Sequence, residues 1–207
     1  MLKVTVATFR RINRHPFWYK FVVVLPVELH MRKIVFSAAL LVILAGTMSF
    51  TNVPVGEVKW LTFEQAVEKS KTEKRKIFVD VYTDWCGWCK VMDKNTFSEP
   101  KVAQILNEKF YAVKFNAEQH EDVVLNGHTY KFVTVENRGY HELAAALLNN
   151  QLSYPTVVFL DDNFNMIQPL PGYRKPEEFH PIIQFIGEDH YKTTKWADWQ
   201  SSYKSPY

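Results

Sequence analysis

The chain has 207 residues, 25 Lys+Arg against 22 Asp+Glu, and two cysteines. Seven of the bases (Lys3, Arg10, Arg11, Arg14, Lys20, Arg32, Lys33) and only one acid, Glu28, lie in residues 1–50, so the remainder holds 18 basic against 21 acidic residues. A nucleic-acid reading needs a clustered basic face, and with neither a basic excess nor a nucleic-acid motif in that remainder it is set aside.

In chain order, residues 1–30 are interrupted by Pro16, Pro26, Glu28 and His30 and read as a mis-called amino-terminal extension ahead of Met31. Residues 31–49 begin Met31-Arg32-Lys33, continue IVFSAALLVILAG and end in Thr47-Met48-Ser49. A basic start, an apolar run and a small-residue exit are the layout of a signal peptide. The run also lies at the short edge of the ~17–25 residues that cross a bilayer, so a retained membrane anchor is the alternative. Either reading implies export, to the periplasm if the host has two membranes.

From residue 50 to 207 one domain is expected, large enough for a single core. Leu61–Lys74 has Phe63, Ala66 and Val67 on one helical face, with Thr62 placed to cap. Ile77–Tyr82, IFVDVY, is a β-branched and aromatic strand with Asp80 inside it. The cysteine segment DWCGWCK follows, then a helix to about Lys94 and a second helix after TFSEP, with Ser98 as cap and Pro100 in the first turn. Phe110–Phe115 reads as a second strand. The order helix, strand, helix, strand predicts an α/β fold with a parallel crossover.

Asp122–Val135 reads as a hairpin turning on Asn126-Gly127, and Tyr140–Leu152 as an Ala/Leu-rich helix. Ser153-Tyr154-Pro155 then breaks the chain before the strand Thr156–Leu160. Met166–Leu170 is a further antiparallel strand, and Glu177–Ile186 a final helix. Trp196 and Trp199 are expected to pack the tail onto the body.

Cys86-Gly87-Trp88-Cys89 admits three chemistries. A redox dithiol at a helix amino end is favoured by the free N–H groups and dipole there, which stabilise a thiolate at Cys86; Cys89 then displaces the product from a mixed disulfide. A structural zinc needs four ligands, so His120, His128, His141, His180 or His190 would have to contribute, and none of them forms a tight pair. An inert staple closing so short a loop would stabilise little.

IFVDVYTDWCGWCK resembles the active-site strand and helix start of the thioredoxin superfamily, in which an acid stands six positions before the first cysteine, as Asp80 does here. Ser153-Tyr154-Pro155-Thr156-Val157 is similar to the family's cis-proline loop, and Gly172 to the glycine of the next strand. DWCGWCKVMDKNTFSEP further resembles the carboxy-terminal domains of exported thiol:disulfide interchange proteins. The resemblance implies a thioredoxin fold, a mixed β-sheet flanked by helices, with a hairpin-plus-helix insertion before the cis-proline loop. It also implies a thiol:disulfide oxidoreductase: Cys86 and Cys89 form the redox disulfide, with Cys86 attacking and Cys89 resolving. Asp80, raised in pKa by burial, moves the proton, and Trp85, Trp88, Tyr154 and Pro155 meet the substrate.

No metal and no organic cofactor is implied. The expected partners are cysteine-containing proteins and a redox partner protein. Trp88, where thioredoxin has proline, leaves the direction of electron flow open. The alternative function is a non-catalytic binding module that uses the insertion, about 118–151, with a structural disulfide.

Overall fold

The computed structural model describes residues 56–136 and 138–207. The expected extension 1–30 and signal or anchor 31–49 lie outside them, and no helix among the described residues is long and apolar enough to cross a membrane.

Helix α1, Phe63–Ser70, starts from a reciprocal cap: Gln65 N–H donates to Thr62 Oγ1, and Thr62 N–H donates to the Gln65 side chain. Strand β1, Lys76–Tyr82, is central, and its interior positions are all buried. After the cysteine loop come α2, Gly87–Met92, a π-helical turn, Asp93–Phe97, and α3, Pro100–Lys109. Strand β2, Phe110–Asn116, pairs parallel with β1. Beyond the insertion, β7, Thr156–Leu160, runs antiparallel to β1, and β8, Met166–Pro171, antiparallel to β7. The sheet order is β2-β1-β7-β8. Helix α5, Pro176–Gly187, and α6, Trp196–Ser202, complete the domain. This is the mixed, helix-flanked thioredoxin-like sheet expected from the sequence.

The two-residue period of the strands separates two cores. Ile77, Val79 and Val81 of β1, Tyr111, Val113 and Phe115 of β2, and Val158 and Leu160 of β7 join one cluster with Phe63 of α1. Phe78, Phe110, Ala112, Val157 and Phe159 join the other, with Met92, Phe97, Leu106, Phe179 and Ile183. Asp80 and Lys114 alternate onto this second face, the side on which the helix carrying the cysteines packs. Trp196 and Trp199 pack there too, against Phe185, at ring separations of 5.1 and 5.3 Å.

Three local expectations need correction. The insertion holds two hairpins: β3, Val123–Leu125, with β4, His128–Tyr130, turning on Asn126-Gly127 as expected, and β5, Phe132–Val135, with β6, Arg138–His141. Its helix α4 is only Glu142–Leu147, because Tyr140 and His141 pair into β6 and Asn149 and Asn150 take left-handed φ values of 52° and 61°. The α3 cap is Glu99, whose carboxylate accepts from the Lys101 and Val102 N–H groups, while the Ser98 hydroxyl donates back to the Lys94 carbonyl.

Candidate functional site

Strand β1 delivers Thr83-Asp84-Trp85 to the start of α2, where Cys86 is the capping residue. Its extended backbone (φ −71°, ψ 101°) lets Sγ accept the Cys89 N–H at 3.1 Å, so a sulfur stands where a helix start ordinarily places an oxygen. The Cys86 N–H donates to the Thr83 carbonyl at 3.1 Å. Cys86 and Cys89 form the disulfide, with Cα atoms 5.3 Å apart. Cys86 is only 4% exposed and Cys89 is equally sheltered.

Flanking them, Trp85 and Trp88 are 67% and 61% exposed, so both form a rim and neither belongs to the core. The Trp85 ring edge meets Tyr154 at 5.8 Å, and Trp88 lies against Tyr173 at 5.4 Å. The Tyr154–Pro155 peptide is cis. Its loop is tied to the end of β8: the Gly172 N–H donates to the Pro155 carbonyl at 2.8 Å, and Gly172 sits at φ +87°, which disfavours a side chain. The expected contact residues Trp85 and Tyr154 are therefore neighbours. Asp84 is exposed and accepts from the Asn116 side chain.

Asp80 is 1% exposed. Burial pushes its carboxyl up to about 6, against the opposing pull of Lys114, whose ammonium donates to Oδ2 at 2.6 Å. The other oxygen, Oδ1, is buried without a partner among the described residues, so this carboxyl has an open position for a proton. Lys114 also donates to Asp93 in the π-helical turn and sits over the Trp60 and Tyr82 rings, each 4.9 Å away. Burial works to lower the Lys114 pKa, but the two carboxylates more than offset it and leave it raised. Asp93 is half-exposed, so the ion group reaches from the sealed core to solvent.

Sequence reasoning missed Lys114, Asp93, Glu118 and Tyr173. A signal existed for the first: FYAVKF holds one cation among apolar residues, just as IFVDVY holds one acid. Pairing those two strands in parallel brings the two together. Asp93 and Glu118 carry no such mark, since a helix-end acid and a loop acid are ordinarily solvated.

Residues 49–169 match the family model Thioredox_DsbH, described as "Protein of unknown function, DUF255". The chain belongs to this thioredoxin-like DUF255/DsbH family. Over 76 residues the chain is 34% identical to an uncharacterised protein of Caenorhabditis elegans, covering 37% of this chain and 10% of that one. Over 121 residues it is 28% identical to the thiol:disulfide interchange protein DsbD of Haemophilus influenzae, covering 56% of this chain and 18% of that protein. The matches thus span less than a fifth of these relatives' length. Among solved structures, a DsbH oxidoreductase superposes with a TM-score of 0.47 at 17% identity, covering 66% of this chain and 90% of that one. The molecule is a thioredoxin-like DUF255/DsbH domain with a C-x-x-C disulfide.

Proposed function

We propose that the chain is a thiol:disulfide oxidoreductase acting on exported, cysteine-containing proteins through Cys86 and Cys89. The observation that carries this is a disulfide at the start of a helix, with a buried acid on the sheet face that packs against that helix. In the reducing direction, the Cys86 thiolate attacks one sulfur of a substrate disulfide; a Cys86–substrate bond forms and the other substrate sulfur leaves as a thiolate. Cys89 then gives its proton to Asp80 and attacks Cys86 Sγ, releasing the second substrate thiol and regenerating the Cys86–Cys89 disulfide. Two electrons pass from the dithiol to the substrate, and the reverse sequence oxidises. Tyr154 and Pro155 present backbone to the substrate, Trp85 and Trp88 present apolar surface, and no cofactor takes part.

A redox partner protein would restore the starting state. The leader pattern in residues 31–49 supports work outside the cytoplasm, in the periplasm of a two-membrane host, with or without membrane anchoring. The segment DWCGWCKVMDKNTFSEP resembles the carboxy-terminal domains of exported thiol:disulfide interchange proteins, which supports the same reading.

The test is trapping: with Cys89→Ser, Cys86 can form a mixed disulfide that nothing resolves, so substrate proteins are expected to accumulate on it in the exporting host. The sheltering of both sulfurs favours one rival, a binding module with an inert disulfide. That rival predicts no trapped species and a Cys86 that reacts no lower than the ~8.5 of an ordinary thiol. The potential of the pair gives the direction: near −270 mV marks a reductase, near −120 mV an oxidant, on the usual scale.

A further inference from the structure

We propose that the groove between the cysteine loop and the β5–β6 hairpin seats an extended, apolar stretch of the partner polypeptide next to its reacting cysteine. This deepens the oxidoreductase reading and rests on it. The groove is a cavity of about 950 Å³, walled at one end by Trp85 and Tyr154, and at the other by Phe132, Val135 and Arg138 of the insertion. Its near end includes Trp85, the residue before Cys86, so a chain lying in it leads toward the disulfide. Its far end consists wholly of the insertion.

The floor is built and filled. The Phe132 ring lies so close over Gly139 that a Cβ there would sit 1.9 Å from a ring carbon, and the His120 ring packs against the Phe132 ring with centroids 3.9 Å apart. Only glycine at 139 lets the ring lie flat. The anchor is held as well: Trp85 is exposed, yet its indole N–H donates to Glu118 Oε1 at 2.9 Å while its edge rests on Tyr154. A tryptophan already fixed loses little freedom when it is covered, which is what makes such side chains strong contact points.

Val135, 55% exposed, and Leu152 add apolar surface along the rim. Glu118 is engaged by Trp85, and the remaining charges, Glu136 and Arg138, are of opposite sign. A strongly charged occupant finds no field of one sign here, whereas apolar side chains of an occupant can lie on Trp85, Phe132, Val135, Leu152 and Tyr154. A small disulfide would touch only the near end, whereas a polypeptide reaches the hairpin.

The experiment uses the reduced full chain and two chromogenic probes, each a mixed disulfide with thionitrobenzoate. One is glutathione; the other is a cysteine peptide with extended apolar flanks. The leaving group makes both exchanges favourable whichever way the natural reaction runs. The reading is the ratio of the peptide rate to the glutathione rate. Val135→Asp and Leu152→Asp, both surface changes, are each expected to lower that ratio about tenfold. An unchanged ratio in both variants overturns the groove while leaving the exchange reading intact. A wild-type chain inert toward both probes overturns the exchange reading and the groove with it. A wild-type dimer that Val135→Asp dissociates gives the groove to a second copy of the chain and overturns the proposal as well.

Discussion

Asp80 is held at the cost of stability. An acid whose carboxyl stands at about 6 in the folded chain, against an ordinary 3.8, binds a proton that the unfolded chain has already lost between those values. Stability therefore falls as pH rises from about 4 to about 6, and the full penalty, on the order of 3 kcal/mol at 1.36 kcal/mol per pH unit, stays above that. Asp80→Asn is expected to be the more stable protein at pH 7 by on the order of 1–3 kcal/mol in urea unfolding, an advantage that disappears by about pH 4. If proton relay is its role, the same variant resolves mixed disulfides more slowly. Lys114 restrains the effect, because its charge favours the carboxylate. Replacing it, as Lys114→Met, should move the Asp80 titration above its present value, read directly by NMR of the carboxyl carbon. A titration that stays in place would show that burial alone sets it. At this scale the acid, the two cysteines and the proline were legible from sequence, because each breaks the pattern around it. Lys114 was half-legible, and Glu118 not at all, since its meaning depends on a tryptophan 33 positions away.

One of the ties between the insertion and the body is His141. His141, fully buried, accepts the Leu143 N–H at Nδ1 and so caps α4; its Nε2 meets the Glu121 carbonyl at 3.1 Å, and its ring stands edge-on to Phe115. Accepting at Nδ1 and donating at Nε2 is the pattern of the neutral ring. Burial lowers its pKa, against smaller opposing contributions from the Glu121 carbonyl and from Glu142, Asp122 and Glu121. The unfolded chain then takes up a proton first as pH falls, so stability is lost below the ordinary value of about 6.5 until the folded ring also titrates. The protection factors of the α4 and β6 amides, their exchange rates divided by the intrinsic rate at each pH, should therefore fall from pH 7 toward pH 5, and His141→Gln should flatten that dependence. The extent of this element was misread for a definable reason. The Asn126-Gly127 turn is a local signal and was correct, but the β5–β6 pairing is settled by contacts of Phe132 across to Gly139 and His141, which alternation alone does not reveal. Likewise Glu99 displaced Ser98 as the α3 cap because a carboxylate there reaches two N–H groups at once. Glu99→Ala is expected to cost about 1 kcal/mol, measured by thermal unfolding.

In the whole molecule the insertion is no appendage. Val123, Leu125, Leu143, Ala144, Leu147 and Leu148 lie in the same cluster as Ile77, Val79 and Phe63. Leu143→Ala should thus cost about 2–5 kcal/mol of global stability, with the insertion and the sheet unfolding in a single transition; two resolved transitions would mean the insertion has a core of its own. The strand order and layers were legible because β1, β2 and β7 are dense apolar runs joined by well-marked helices. The partition into two cores follows from their two-residue period. One further consequence lies in the pairing of β1 with β2, where Asp80 faces Lys114. Sliding β2 by one residue would set Val113 or Phe115 against the acid and turn the lysine into the opposite core; sliding it by two would offer Ala112 or Asn116. Only one alignment of these two strands gives each buried charge its partner, so an ion pair that weakens the finished fold also selects the alignment in which it assembles.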